Sequence, residues 1–590
     1  MTRVAIPQHK WRNFIGPLLI AVATLFMLFW SWGTWPDPLV DFGAQLYVPW
    51  RINSGQVLYR DLAYYNGPLS SYFNAAMFRL FGVGISTLVW TNLLILIAAM
   101  VLVYRLALRG SGPLASTISG LTFSLVFAFG QVVHIGNYNW LTPYTHEITH
   151  GTTLGLATVA ALARYQRGAR SRWLILAGML LGCTFLTKAE PTAATIVAVA
   201  LLLAGGWWDE KANAAKVFRP FLLLVVFALV APLIAWGLLS LAMPPVMALR
   251  GVLGSWPWVF DRRVTSLHFY RDVSGLDNIP ANLRIVLDWS LIYGVLLGLG
   301  VGIGTLTRNR GGRGVAAMIA FIVCGSCFVW RFDETNWSGM ITPLPLMLGI
   351  MFVSCAIGVW RRQTGAPLRL ALIGFSGVLV AKMGLKTYAY HYGFALALPG
   401  TVALICAVSS DLPRWIESRG ASGLPLRAIA LAAWLAAIAA MLRVDNLHWS
   451  ADTTVVARGT SDEFRGDDRA AGIVDMCRRV NTFVPPDGSL VVLPQGLMVN
   501  YLTRRVTPTR NINFMPPEVL AAGEQNILAG FKAHPPDAIV LTPAVIHDGN
   551  FTLDDRDPYG SETLRWVMEN YRPADPGEGH RKLQLMMRKK

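Results

Sequence analysis

The sequence predicts a polytopic α-helical membrane protein that ends in a small α/β domain. Three observations carry that expectation. Of the 590 residues, 54% are hydrophobic and only 14% charged, with a mean hydropathy of +0.45, far from the balance of a soluble domain. Apolar runs long enough, or nearly so, to cross a bilayer begin near residues 14, 86, 113, 150, 172, 190, 219, 285, 314, 340, 367, 392 and 424, about thirteen in all. Basic residues also alternate along the chain. With the amino terminus on the cytoplasmic side, the inside segments hold 21 Lys and Arg against 4 acids, whereas the outside segments hold 12 against 11. That bias sets the orientation and places the tail beyond residue 441 outside, as in a bacterial inner-membrane protein with a periplasmic domain.

The net charge of +17 resembles a nucleic-acid footprint until it is divided along the chain. Residues 442–590 hold 18 basic and 19 acidic side chains, leaving 33 against 15 in residues 1–441. The excess belongs to the membrane part and to lipid headgroups, and no nucleic-acid partner is expected. The first run ends in "MLFWSWGTW", without a small-residue cleavage site, and reads as a retained anchor rather than a signal peptide. Five of the six cysteines lie in apolar runs, and "CGSC" at 324–327 suits close helix packing better than redox work.

The chain divides into a membrane part, 1–441, and an external domain, 442–590. In the first outside loop, 32–85, "DFGAQLYVPWRIN" and "PLSSYFNAAMFRLFG" have apolar faces expected to lie in the membrane interface. In the tail, "SLVVLP" and "DAIVLTP" read as buried strands, with "QGLMVNYLTRR" and "PPEVLAAGEQNILAGFKAH" as helices between them.

Ionisable groups against a membrane are expensive and mark function by default. The topology gathers Asp41, His146, Glu147, His150, Lys188, Glu190, Arg262, Arg263, His268, Arg331, Lys382, Lys386 and His391 at the outer ends of the spans. Acids for proton work thus share a side with cations suited to phosphate oxygens. The structural alternatives are equally plain: Asp41 as a helix N-cap, Lys188–Glu190 as an ion pair closing a hairpin, and the arginines as headgroup contacts. "HEITH", His146 to His150, fits the zinc-protease pattern H-E-x-x-H. Two histidines four apart share a helix face and can hold a divalent metal with Glu147. A protease needs a third ligand in a later span, however, and the Asp-Gly pairs, 487–488 and 548–549, both fall in the tail.

The acid shortly after the first span, followed by the spaced pattern Ile52, Gly55, Leu58, Tyr59, Arg60, Asp61 and Pro68, resembles the first external loop of GT-C membrane glycosyltransferases. That group includes protein O-mannosyltransferases and the lipid A aminoarabinose transferase. The resemblance implies transfer of a sugar from a polyprenyl-phosphate donor to a lipid, glycan or protein acceptor at the outer face. It carries over Asp41 as catalytic base or acceptor-orienting carboxylate, and Glu147 as a second candidate. Many relatives have two adjacent acids in this loop, whereas Phe42 follows Asp41, which leaves the need for a metal open. A lipid-linked substrate flippase and an intramembrane zinc metalloprotease are the rival readings.

Overall fold

The computed structural model describes residues 12–130, 132–133, 136–168, 170–210, 214–308, 312–391, 393–542, 546–547, 550–552, 558–575 and 582–589. Helix α1 (Arg12–Trp30) leads into two helices of the first loop, α2 (Phe42–Asn53) and α3 (Leu69–Phe81), and then into α4 (Ile85–Gly110). There follow α5 (Pro113–Thr122), continued by a π turn over Phe123–Phe127, then α6 (His146–Gly168), α7 (Ser171–Phe185), α8 (Ala189–Glu210) and α9 (Ala214–Ser240). The next loop folds into α10 (Pro245–Leu253), α11 (Trp256–Val259), α12 (Arg262–Thr265) and α13 (His268–Val273). The body is completed by α14 (Ile279–Leu306), α15 (Arg313–Trp330), α16 (Leu344–Trp360), α17 (Ala366–Ala381), α18 (Phe394–Cys406), α19 (Leu412–Ser418) and α20 (Leu424–Ala451).

Each expected apolar run coincides with a helix. Among the described residues, eight helical segments are long and apolar enough to cross a membrane, and four shorter apolar helices accompany them. Helix α6 is the exception in composition. Its first turns carry His146, Glu147, Thr149 and His150, all buried within the body. Packing is uneven. The segment Phe394–Ser418 buries 67% of its apolar window, whereas α15 buries 6% and presents Val315, Met318, Ile319, Ile322 and Val323 outward. Such a surface is stable only against lipid, where backbone groups are satisfied within each helix.

The two loop helices differ from each other. On α3 the buried face joins Phe78 to small and polar residues (Ser70, Ser71, Asn74, Ala75), while Phe73, Leu80 and Phe81 are exposed, as an interfacial helix requires. Helix α2 departs from the expectation. Phe42, Gly43, Gln45, Leu46, Tyr47, Val48 and Pro49 are all buried, so it is enclosed rather than laid on a membrane. Its cover is the C-terminal domain. A Cβ on Gly43 would lie 2.1 Å from the backbone nitrogen of Met498, so only glycine admits α22 (Leu497–Thr503) this close.

That domain begins later than residue 441, because α20 runs on to Ala451. The strands 490–493 and 538–541 pair in parallel, Leu490 opposite Ala538, and the strands 584–588 and 571–573 extend the sheet antiparallel. Helix α21 (Asp468–Phe483) precedes the sheet, and α25 (Ser561–Asn570) lies between its last two inner strands in sequence. The expected long helix after Pro516 is two, α23 (Pro516–Ala522) and α24 (Glu524–Ala533), split at Gly523, whose φ of 80° no helix interior accommodates. Phe42 and Leu46 share one hydrophobic core with Met498, Tyr501, Phe464 and Ala470. Loop and domain are therefore built as one unit, tied by Tyr47 to Thr507, by Arg510 to the Tyr59 carbonyl and by Arg465 to the Trp32 carbonyl.

Candidate active site

Between the helical body and the C-terminal domain lies a cavity of about 1220 Å³. Six of the residues singled out by sequence line it: Asp41, Lys188, His268, Lys382, Lys386 and His391. The first loop adds Gln45, Tyr64 and Asn66, the α6 approach adds Tyr144 and Thr145, and the domain supplies Arg469, Arg479, Gln495, Asn513, Glu518 and Lys582.

Asp41 sits just before α2 in an unusual conformation. Its φ of 55° and ψ of −55° place it in a left-handed γ-turn, closed by a 2.6 Å hydrogen bond from the Phe42 N–H to the Val40 carbonyl. Few non-glycine residues adopt this geometry, which costs of order 1–3 kcal/mol and concentrates at functional sites. The side chain accepts no capping hydrogen bond from the helix, so the N-cap alternative fails on geometry. Neighbouring Asp37 holds the turn. Its Oδ1 accepts from the N–H groups of Leu39 (2.9 Å) and Val40 (2.6 Å), and its Oδ2 from Arg469 at 2.9 Å. Burial, reinforced by Asp37, pushes the Asp41 carboxyl up to about 7, while Lys188 opposes the rise.

The cations arrive from two loops of the body. Lys188 follows α7 and lies 5.8 Å from the centre of the Tyr144 ring; burial lowers its amine below the ordinary lysine range, against the pull of Glu190. Lys382 closes α17 and pairs with Glu190. Lys386 bonds Asp272 at 2.6 Å and approaches Asp277 at 3.6 Å. No ion pair among the described residues engages Lys188. His391 is structural: its Nδ1 accepts from the Gly393 N–H (2.9 Å), and its Nε2 faces the Val273 carbonyl (3.1 Å). Burial holds it down to about 4, so it stays neutral and clasps the α13 loop to the body.

The HEITH segment is not arranged as a metal site. The His146 Nδ1 meets Gln45 Oε1 at 2.7 Å and its Nε2 meets the Asn92 amide at 2.9 Å, so both ring nitrogens are taken. Glu147 accepts from the Tyr64 hydroxyl (2.7 Å) and the Thr145 hydroxyl (2.6 Å), and His150 Nδ1 lies 3.0 Å from the Ser70 hydroxyl. Among the described residues no group of three or more His, Cys, Asp or Glu side chains can hold a metal ion. These residues do not fit a resident metal or the zinc-protease reading. Nor does Glu147 line the cavity; it anchors Tyr64 and Thr145, which do.

Three arginines lie elsewhere. Arg262 and Arg263 belong to α12, where Arg263 is 67% exposed and bonded to Asp261. Arg331 is exposed and pairs with Glu334 at 2.8 Å. Glu190 is half-buried, pairs with Lys382 and does not line the cavity. The contribution of the C-terminal domain is what sequence reading missed, and the one local signal for Glu518 is its place in a Pro-Pro-Glu helix start.

The structure thus joins a helical membrane body, an acid early in its first loop and a C-terminal domain closed over that acid. Residues 65–236 match the family model described as dolichyl-phosphate-mannose-protein mannosyltransferase. Among solved structures, ArnT from Cupriavidus metallidurans bound to undecaprenyl phosphate is 13% identical, with 97% of each chain covered and a TM-score of 0.45. The Archaeoglobus fulgidus oligosaccharyltransferase, solved with zinc and sulfate, is 12% identical, with 89% of this chain and 68% of that chain covered and a TM-score of 0.48. No curated protein matches the sequence.

Proposed function

We propose that this protein transfers a sugar from a polyprenyl-phosphate donor to a hydroxyl or amine of a lipid, glycan or protein acceptor. The reaction takes place at the membrane face that carries the C-terminal domain, the periplasmic face of a bacterial inner membrane by the charge bias of the loops. The observation that carries this reading is Asp41: strained, uncapped, open to a cavity roomy enough for a sugar, and with its charge felt by Lys188. The family match over residues 65–236 supports a polyprenyl-phosphate-linked sugar as donor.

In the proposed step the acceptor oxygen or nitrogen forms a bond to the anomeric carbon and its proton passes to Asp41. The bond from that carbon to the phosphate oxygen breaks, and the polyprenyl phosphate leaves with the electron pair. A carboxylate whose acid form titrates near 7 is well matched to taking a proton at neutral pH. The phosphate leaving group needs positive charge rather than a strong acid, and Lys188, which no ion pair among the described residues engages, supplies it. Lys382 and Lys386 stand by with their charges shared with Glu190, Asp272 and Asp277. Glu147 positions Tyr64 and Thr145 at the cavity wall, and no step is routed through a metal.

The test uses membranes holding the chain, given radiolabelled polyprenyl-phosphate mannose and polyprenyl-phosphate glucose, with label followed into lipid, glycan and protein fractions. Asp41→Asn is expected to abolish transfer at unchanged expression. Full transfer by that variant would overturn the assignment.

A further inference from the structure

We propose that Glu518 of the C-terminal domain is the acceptor-orienting residue of this site: it faces the same cavity as Asp41 and takes a second hydrogen bond from the hydroxyl- or amine-bearing group being glycosylated. The proposal rests on the function proposed above and deepens it, because it makes the domain part of the reaction centre. Asp41 takes the proton that leaves, and Glu518 fixes the direction from which the nucleophile comes.

Glu518 lies in the first turn of α23, whose Pro516 and Pro517 fix the backbone at its start. The segment before it runs along the first loop, with the Ala63 N–H donating to the Arg510 carbonyl at 2.8 Å, and Arg510 returning a bond of 2.8 Å to the Tyr59 carbonyl. The helix itself packs against α12 of the long loop. Glu518 is thus delivered to the cavity by the first loop and the segment before α23, both of which also line it. Its Oε1 accepts a long hydrogen bond of 3.3 Å from Asn513, and its Oε2, shielded from solvent, has no partner among the described residues. A buried carboxylate oxygen left without a donor is costly, of order 1–3 kcal/mol or more. Asp61 and Glu147, the structural acids nearby, have every oxygen bonded. An acid that is built in, lines the cavity and has one oxygen without a donor is one whose second donor comes with the substrate.

The electrostatics agree. Burial, with the charge of Asp41, pushes Glu518 up to about 7, while Asn513 and Lys188 oppose the rise. The other titratable groups that feel it are Tyr65, from the first loop, and Tyr559, from the domain. Two acids titrating near neutrality in one cavity favour a substrate that brings hydrogen-bond donors, a polyol or an amine, over an anionic acceptor at this point.

Two measurements on the full chain test this. In the first, Glu518→Ala is expected to lower sugar transfer from the same labelled donors about 100-fold, the loss of one or two charge-assisted hydrogen bonds. Glu518→Asp should recover part of it, and binding of radiolabelled undecaprenyl phosphate should stay unchanged. Wild-type transfer, or loss of undecaprenyl-phosphate binding, overturns the proposal. The second measurement needs no transfer. Dicyclohexylcarbodiimide modifies protonated carboxyls, so at pH 7 it should label Glu518, and removing the neighbouring charge by Asp41→Asn should make that labelling about threefold lower. Unchanged labelling of Glu518 in the Asp41 variant separates the two residues and overturns the shared site, even where the assignment of Asp41 as base survives.

Discussion

Asp41 and Glu147 are both carboxylates near the start of a helix, both beneath the C-terminal domain and both conspicuous in the sequence, yet the fold treats them in opposite ways. Glu147 is fully buried, and each of its oxygens accepts a short bond from a hydroxyl, Tyr64 on one side and Thr145 on the other. Asp41 is held in a left-handed turn that costs energy, accepts no cap and opens on the cavity. A satisfied acid holds a wall in place, whereas an unsatisfied one is poised to react. The difference lies in what surrounds the oxygens, and a sequence pattern does not display it.

The comparison breaks first at Asp41. Its exchange for asparagine is expected to cost at least about 1000-fold in transfer, as removal of a general base does, whereas Glu147→Gln is expected to cost about tenfold through misplacement of Tyr64. Equal losses would place both carboxylates in the same role. The pH profile sharpens the same point. The base must be ionised to act, so transfer should rise with pH and reach half its maximum near 7, the value to which burial and Asp37 push Asp41. Asp37→Asn removes one of the negative charges that raise it, so the acidic limb should move to lower pH. A limb that stays in place or moves upward removes Asp41 from the rate profile.

A middle-sized effect is expected from the joint between loop and domain. Gly43→Ala would drive a methyl group into the backbone of Met498, so α2 and α22 must part. Overpacking of this sort costs typically 1–3 kcal/mol. The expected readout is a lower Tm of the purified full chain together with reduced transfer. An unchanged Tm would mean that loop and domain yield without cost and are not one unit.

How much of this was legible in the sequence follows from the range of the interactions. The helices were legible because each is a local apolar run, and the charge bias checks the count loop by loop. The enclosure of α2 was not, because its cover is hundreds of residues away: Tyr47 and Thr507 are 460 positions apart. Its apolar face reads the same whether lipid or protein lies against it. Asp41 was legible through a spaced pattern, but its γ-turn has no glycine or asparagine to announce it. Glu518 and Arg469 carry no motif, and only the folded domain brings them to the cavity. The arginines err the other way, since charge on the outer side marks a face of the membrane and not a pocket.

The smallest effect is expected at those arginines. Arg263 is bound to Asp261 by its side chain at 2.7 Å, is 67% exposed and sits outside the cavity, and Arg262 shares the same four-residue helix. An exposed pair of this kind contributes little to stability and is screened by salt. Replacing both with alanine should leave donor KM and kcat within about twofold of wild type. Any change should be confined to attachment of the α12 loop to anionic lipid, read as weaker binding of the purified chain to vesicles rich in phosphatidylglycerol. A large rise in donor KM would instead place the phosphate at α12, move the donor site out of the cavity, and leave Lys188 without the role proposed for it.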